Sequence, residues 1–130
     1  MKRAIYVDDM KEVGKVVVRM MHLKGLDTTH IPTYDEAEAI IGNGQLSGLA
    51  LFATDVSLDN GRAGYDLVRQ IRNRGSNVPC LMISGADLEE ARKRTSDLRG
   101  VYYVQKPFEV STFFGIIDQA LASVETPSSA

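Results

Sequence analysis

Short, uninterrupted apolar runs alternate along this chain with segments of helical periodicity, and each run stops abruptly at a polar residue. Ala4 to Val7 stops at Asp8, Leu49 to Ala53 gives way to Asp55, and Val78 to Ile83 stops at Ser84. A run this short and apolar throughout suits a strand buried on both faces. Thr28 to Ile31 and Val101 to Val104 read as two further strands.

The segments between carry helical spacing. Val13, Val17, Met20 and Met21 recur at that period, with Val16 and Leu23 beside them, and Gly25 ends the segment. Thr33 to Glu36 has capping-box form, followed by the apolar face Ala37, Ile40 and Ile41. Gly64 opens a helix with Leu67, Val68 and Ile71, closed by Gly75. Asp87 to Leu98 reads as a highly charged helix with few apolar residues. The strongest stripe is the last: Val110, Phe113, Phe114, Ile117, Leu121 and Val124.

Five strands alternating with five helices predict an α/β fold, a doubly wound five-stranded parallel sheet with helices on both faces. The natural strand order is 2-1-3-4-5, with ligands at the carboxyl ends of the strands near the switch point between strands 1 and 3. The 130 residues suit one domain, expected over 1–124, with a small polar tail, 125–130, expected to be disordered.

The formal net charge of -2 argues against direct nucleic-acid binding and against a membrane surface. No apolar run approaches the roughly 20 residues that span a bilayer. Cys80 is the one cysteine, so no intrachain disulfide can form, which fits a reducing cytoplasm as the expected location. Cys80 itself reads as an inert core residue. His22 and His30 lack metal-ligand spacing, and Arg92-Lys93-Arg94, beside Glu89 and Glu90, reads as a solvated helix face.

The strand ends carry the chemistry. Strand 1 ends in Asp8 and Asp9, strand 3 in Asp55 and strand 4 in Ser84, while Lys106 follows strand 5. In the expected strand order these side chains converge on one edge. Crowded carboxylates repel and take up protons unless a cation neutralises them. Mg2+ suits such a place, because it takes one or two carboxylates, keeps several waters and completes its shell with phosphate oxygen. A lysine supplies a point charge for phosphate, a serine a hydroxyl donor, and a carboxylate can be the nucleophile that forms an aspartyl phosphate.

Val7-Asp8-Asp9, Thr54-Asp55-Val56-Ser57-Leu58, Ile83-Ser84-Gly85-Ala86 and Val104-Gln105-Lys106-Pro107-Phe108 together resemble the receiver domain of two-component response regulators. The resemblance covers residues 3 to about 124, with all four motifs in order. It implies a phosphorelay signalling switch, not a metabolic enzyme, with weak intrinsic phosphotransfer and autodephosphorylation. By position, Asp55 matches the phosphoacceptor, and Asp8 and Asp9 the acidic pair that holds Mg2+. Ser57 matches the residue whose carbonyl joins the metal shell, Ser84 the hydroxyl that bonds the phosphoryl group, and Lys106 the lysine that pairs with it. Pro107 matches a proline often cis in the family, and Tyr103 the aromatic switch position. The implied partners are a sensor histidine kinase or histidine phosphotransfer protein and a downstream protein target, with residues 87–124 as the output face and the surface for any homodimer.

One departure stands out. The segment after Asp55 reads Val56-Ser57-Leu58-Asp59-Asn60-Gly61-Arg62-Ala63-Gly64, with Asp59 where the family pattern has a proline and about one residue more than usual. The expectation is a reshaped loop around an intact site. Two other readings share the fold: a flavin- or nucleotide-binding module, and an interaction-only pseudo-receiver. The first needs a Gly-, Ser- or Thr-rich phosphate loop after strand 1, where this chain has Asp8-Asp9-Met10-Lys11-Glu12. The second can dispense with the acidic set, which is complete here.

Overall fold

The computed structural model describes residues 1–85 and 88–125. The strands are β1 (Lys2–Val7), β2 (Leu26–Ile31), β3 (Leu49–Asp55), β4 (Cys80–Ser84) and β5 (Val101–Gln105). The helices are α1 (Lys11–Leu23), α2 (Tyr34–Gly42), α3 (Gly64–Asn73), α4 (Leu88–Arg94) and α5 (Val110–Glu125). All strand pairs are parallel, in the order β2-β1-β3-β4-β5. Both the doubly wound fold and its strand order are therefore those expected from the sequence.

Alternation along the strands divides the core in two. Ile5, Val7, Phe52, Cys80 and Met82 pack with Ala37 and Ile41 of α2 and Leu67, Val68 and Ile71 of α3. Ala4, Tyr6, Leu51, Ala53, Leu81 and Ile83 pack on the other face with Val17 and Met21 of α1 and Phe113, Ile117 and Ala120 of α5. The central strands are buried on both faces, which explains their unbroken apolar character.

Several boundaries differ from expectation for local reasons. β4 begins at Cys80, not Val78, because Pro79 has no N–H to give to a ladder. β1 and β2 start earlier than expected, at Lys2 and Leu26 instead of Ala4 and Thr28, and those two first residues pair with each other in register. α1 turns Val17 and Met21 inward but leaves Val16 and Leu23 on the surface. α4 stops at Arg94 instead of continuing to Leu98, because the Thr95 hydroxyl donates back to the Ala91 carbonyl and Thr95-Ser96-Asp97 favours a turn. Ala86 of the third motif, Asp87 at the expected start of α4 and tail residues 126–130 lie outside the described residues.

The α2 capping box keeps one of its two parts: the Glu36 N–H donates to Thr33 Oγ1 at 3.1 Å. A second cap comes from far along the chain, where the Tyr34 N–H donates to Asp59 Oδ1 at 2.8 Å.

Candidate functional site

The carboxyl ends of β1, β3 and β4 and the segment after β5 meet at one edge of the sheet. The Lys106 Nζ lies 2.9 Å from Asp55 Oδ2 and 3.8 Å from Asp8 Oδ2. Asp8 is fully buried and Asp55 nearly so, while Asp9 is exposed. Ser84 is buried at the end of β4, and its carbonyl accepts the Lys106 N–H at 2.7 Å. That bond carries Lys106 across from β5 to the acids. The Lys106–Pro107 peptide bond is cis, and Phe108 stacks on Phe113 of α5 at 4.8 Å, which fixes the loop beyond the lysine.

Burial is the chief influence on Asp55 and holds its carboxyl above the usual carboxylate range, helped by the neighbouring Asp8 charge. The Lys106 ammonium and the Ser57 N–H, which donates to Asp55 Oδ1 at 3.2 Å, oppose that shift. Asp55 is thus a desolvated carboxylate held between one cation and one backbone donor. Of the residues picked out in the sequence, Asp8, Asp55, Ser84 and Lys106 come together. Ser57 sits at the mouth of the site, and Asp9 projects outward.

Among the described residues no three His, Cys, Asp or Glu side chains close around one point. A cage of that kind is not what Mg2+ requires, since one or two carboxylates with water and a backbone carbonyl suffice. The residues fit such an ion on charge grounds: Lys106 brings one positive charge to an edge carrying Asp8, Asp9 and Asp55.

The loop after Asp55 has its own architecture. Asp59–Gly61 forms a 3-10 turn with Asn60 at φ 58°, a left-handed conformation that asparagine tolerates. Ser57 bridges to Ala63, and the Gly64 N–H donates to the Val56 carbonyl at 2.7 Å. Gly64 is required here, because a Cβ would stand 2.1 Å from the Asp55 carbonyl oxygen. Besides the Asp59 cap on α2, Arg62 pairs with Asp35 at 3.1 Å and covers the Tyr34 ring at 4.5 Å. The Tyr34 hydroxyl in turn bonds Asp66 on α3. The loop is therefore clamped to α2.

Tyr103, on β5, is half-buried. Its hydroxyl is 2.6 Å from the Oγ1 of the fully buried Thr95, and the Arg92 guanidinium covers its ring at 4.5 Å.

The model of the response regulator receiver domain family matches residues 4–118. The chain belongs to that family. Receiver domains are signalling modules of phosphorelays and generally bind Mg2+ at the site of phosphorylation. Solved structures similar to this receiver include a response regulator receiver domain protein from Clostridium thermocellum, at TM-score 0.83 and 16% identity over 96% of this chain and 98% of that one. A CheY-like receiver domain protein from Methanospirillum hungatei JF-1 gives TM-score 0.82 and 21% identity over 96% and 97%. Vibrio cholerae chemotaxis protein CheY4 gives 0.77 and 17% over 93% and 99%. At these identities the likeness is one of fold. No curated protein matches the receiver in sequence. Among the described residues no helix is long and apolar enough to cross a membrane.

Three residues that touch the site's supports escaped the sequence reading. Tyr6 donates to Asp8 Oδ2, His30 bonds the Asp8 carbonyl, and Thr95 holds Tyr103. Tyr6 had a usable signal, because two residues apart on a strand means the same face. His30 became visible only with the β1–β2 register, which sets it opposite Tyr6.

Proposed function

We propose that this receiver accepts a phosphoryl group on Asp55 from a histidine kinase or histidine phosphotransfer protein, in a reaction that depends on Mg2+. The observation that carries the reading is the Lys106 ammonium, 2.9 Å from Asp55 Oδ2, at a strand edge where acids crowd. An Asp55 oxygen attacks phosphorus, the bond from phosphorus to the donor imidazole nitrogen breaks, and the nitrogen keeps the electron pair. Lys106 moves its charge from the carboxylate to the new phosphoryl oxygens, and the Ser84 hydroxyl donates to one of them. Asp8, Asp9 and Asp55, with the Ser57 carbonyl, would hold Mg2+, which neutralises charge on the transferring group. Hydrolysis of the acyl phosphate returns the receiver to its starting state.

An open apolar groove of about 530 Å³ runs beside the site between α1 and the segment after β5. Val13, Val16, Met20, Phe108 and Val110 line it, and Lys106 stands at one end. A donor helix lying there would have its histidine close to Asp55. Output would run through α4, β5 and α5, since Ser84 pairs with β5, the strand that carries Tyr103, and Lys106 follows that strand; a downstream protein or a second copy of the chain would dock on the altered face. A cytoplasmic location goes with this role.

Incubation with acetyl phosphate tests the reading. Labelling that requires Mg2+ and is lost in Asp55→Asn is expected. Labelling of the variant at the parent's rate would overturn it.

A further inference from the structure

Asp8 is held at four of its atoms. Its N–H donates to the Ile31 carbonyl at 3.1 Å, and its carbonyl accepts from His30 Nε2 at 2.7 Å. A carbonyl oxygen can only accept, so His30 carries a proton on Nε2. In the side chain, Oδ1 accepts the Met10 N–H at 2.9 Å and Oδ2 accepts the Tyr6 hydroxyl at 2.6 Å. Tyr6 and Asp8 are both fully buried.

The sequence makes room for this arrangement. His30 lies roughly parallel to the Tyr6 ring, with centroids 6.2 Å apart, and fills the space that the missing side chain of Gly14 leaves on α1. A Cβ at position 14 would stand 2.4 Å from the imidazole. Burial, then the bond and charge of Asp8, raise the Tyr6 hydroxyl far above its usual titration range, so it remains a donor.

Lys106 Nζ is a competing partner for Asp8 Oδ2, at 3.8 Å. A buried carboxylate oxygen that lost the phenol would be left short of a donor. It would turn toward the ammonium and draw it away from Asp55.

We propose that Tyr6 is a positioning residue of the phosphoryl-transfer site: its hydroxyl fixes the Asp8 carboxylate in the orientation that Mg2+ binding uses and leaves Lys106 to Asp55. This rests on the reading of the edge as a Mg2+ site. The phenol does not touch the ion or the phosphoryl group; it acts through Asp8. Partners that orient ligating carboxylates typically contribute about 10–100-fold in metal affinity.

Two measurements test the role. Tyr6→Phe keeps the ring and removes only the hydroxyl. Followed by amide shifts, its Mg2+ affinity should be about tenfold weaker than the parent's. Its labelling by acetyl phosphate should be slow at low Mg2+ and recover toward the parent rate at saturation, and a urea midpoint without Mg2+ should show the variant fully folded before the titration, since Mg2+ would otherwise rescue labelling by refolding it. The second measurement needs no variant. With tyrosine labelled at 13Cζ and Tyr6 assigned through its ring protons, the Tyr6 signal of the parent should shift during a Mg2+ titration along the same binding curve as the amides of the site. A variant with parental Mg2+ affinity, or a Tyr6 signal that stays still while those amides move, would overturn the role and leave the metal site standing. A parent protein that binds no Mg2+ would overturn the role together with the reading beneath it.

Discussion

Lys106 and Asp55, 51 residues apart in sequence, are joined by a 2.9 Å bond from ammonium to carboxylate. The pair exists because β3 and β5 flank β4 in one parallel sheet, and because the Lys106 N–H is anchored on the Ser84 carbonyl. In the proposed transfer to Asp55, removing the ammonium removes the charge that would meet the incoming phosphoryl group. Bonds to charged groups contribute about 1.5–3 kcal/mol. Lys106→Ala should therefore slow labelling by acetyl phosphate about ten- to a hundredfold, with Mg2+ affinity kept. Lys106→Arg should restore little, since a planar fork does not replace a compact ammonium. Quenched time courses at saturating Mg2+ measure both.

The raised Asp55 carboxyl has a consequence for stability. The fold binds this proton more tightly than the unfolded chain does. The stabilisation is fully present below the ordinary value of 3.8 and is lost as pH rises through the folded value. Asp55→Asn, neutral at every pH, escapes that loss. Without Mg2+ it should resist urea better than the parent at pH 7, and the advantage should vanish near pH 3. Added Mg2+ should narrow the gap by stabilising the parent. Urea midpoints across pH, with and without Mg2+, provide the check.

The clamp between the loop after Asp55 and α2 separates a helix cap from an exposed ion pair. Asp59→Ala removes the acceptor for the Tyr34 N–H and should cost about 1 kcal/mol. Arg62→Ala breaks a pair whose side chains are 45% and 73% exposed and should cost less, at most about 1 kcal/mol. Chemical denaturation of the two variants ranks them, and the reverse order would count against the cap.

Tyr103 is tied to the end of α4 by Thr95, on a helix with the apolar anchors Leu88 and Ala91. Thr95→Val keeps the volume and removes the hydroxyl. A bond of about 1 kcal/mol corresponds to a roughly fivefold change in population. In the unphosphorylated variant, amide signals of residues 88–104 should move part of the way toward their positions in the parent bound to beryllofluoride, a phosphoryl mimic. Shifts restricted to the metal-site loops in the beryllofluoride complex would contradict this route of output.

The fold was legible because each local signal agreed with the others: buried strands as apolar runs, helices by period, and glycines at the turns. Asp8, Asp55, Ser84 and Lys106 were legible as strand-end residues once the strand order was set. Contacts that depend on register or loop shape were not. His30 reads as an ordinary polar residue until β2 is laid beside β1, and Asp59 gives no sign in sequence that it caps a helix 25 residues earlier. The expected reach of α4 to Leu98 follows from charge and a last apolar residue, but Thr95-Ser96-Asp97 favours a turn and the Thr95 hydroxyl bonds back to the Ala91 carbonyl, so the helix ends at Arg94.

The most direct test of the account is to find where the phosphoryl group goes. After incubation with acetyl phosphate and Mg2+, borohydride reduction converts an aspartyl phosphate to homoserine, and peptide mass spectrometry locates the altered residue. The account predicts homoserine at position 55 alone, dependent on Mg2+ and greatly reduced in Lys106→Ala. Homoserine at another aspartate, or none at position 55 while the parent protein is labelled, would contradict it.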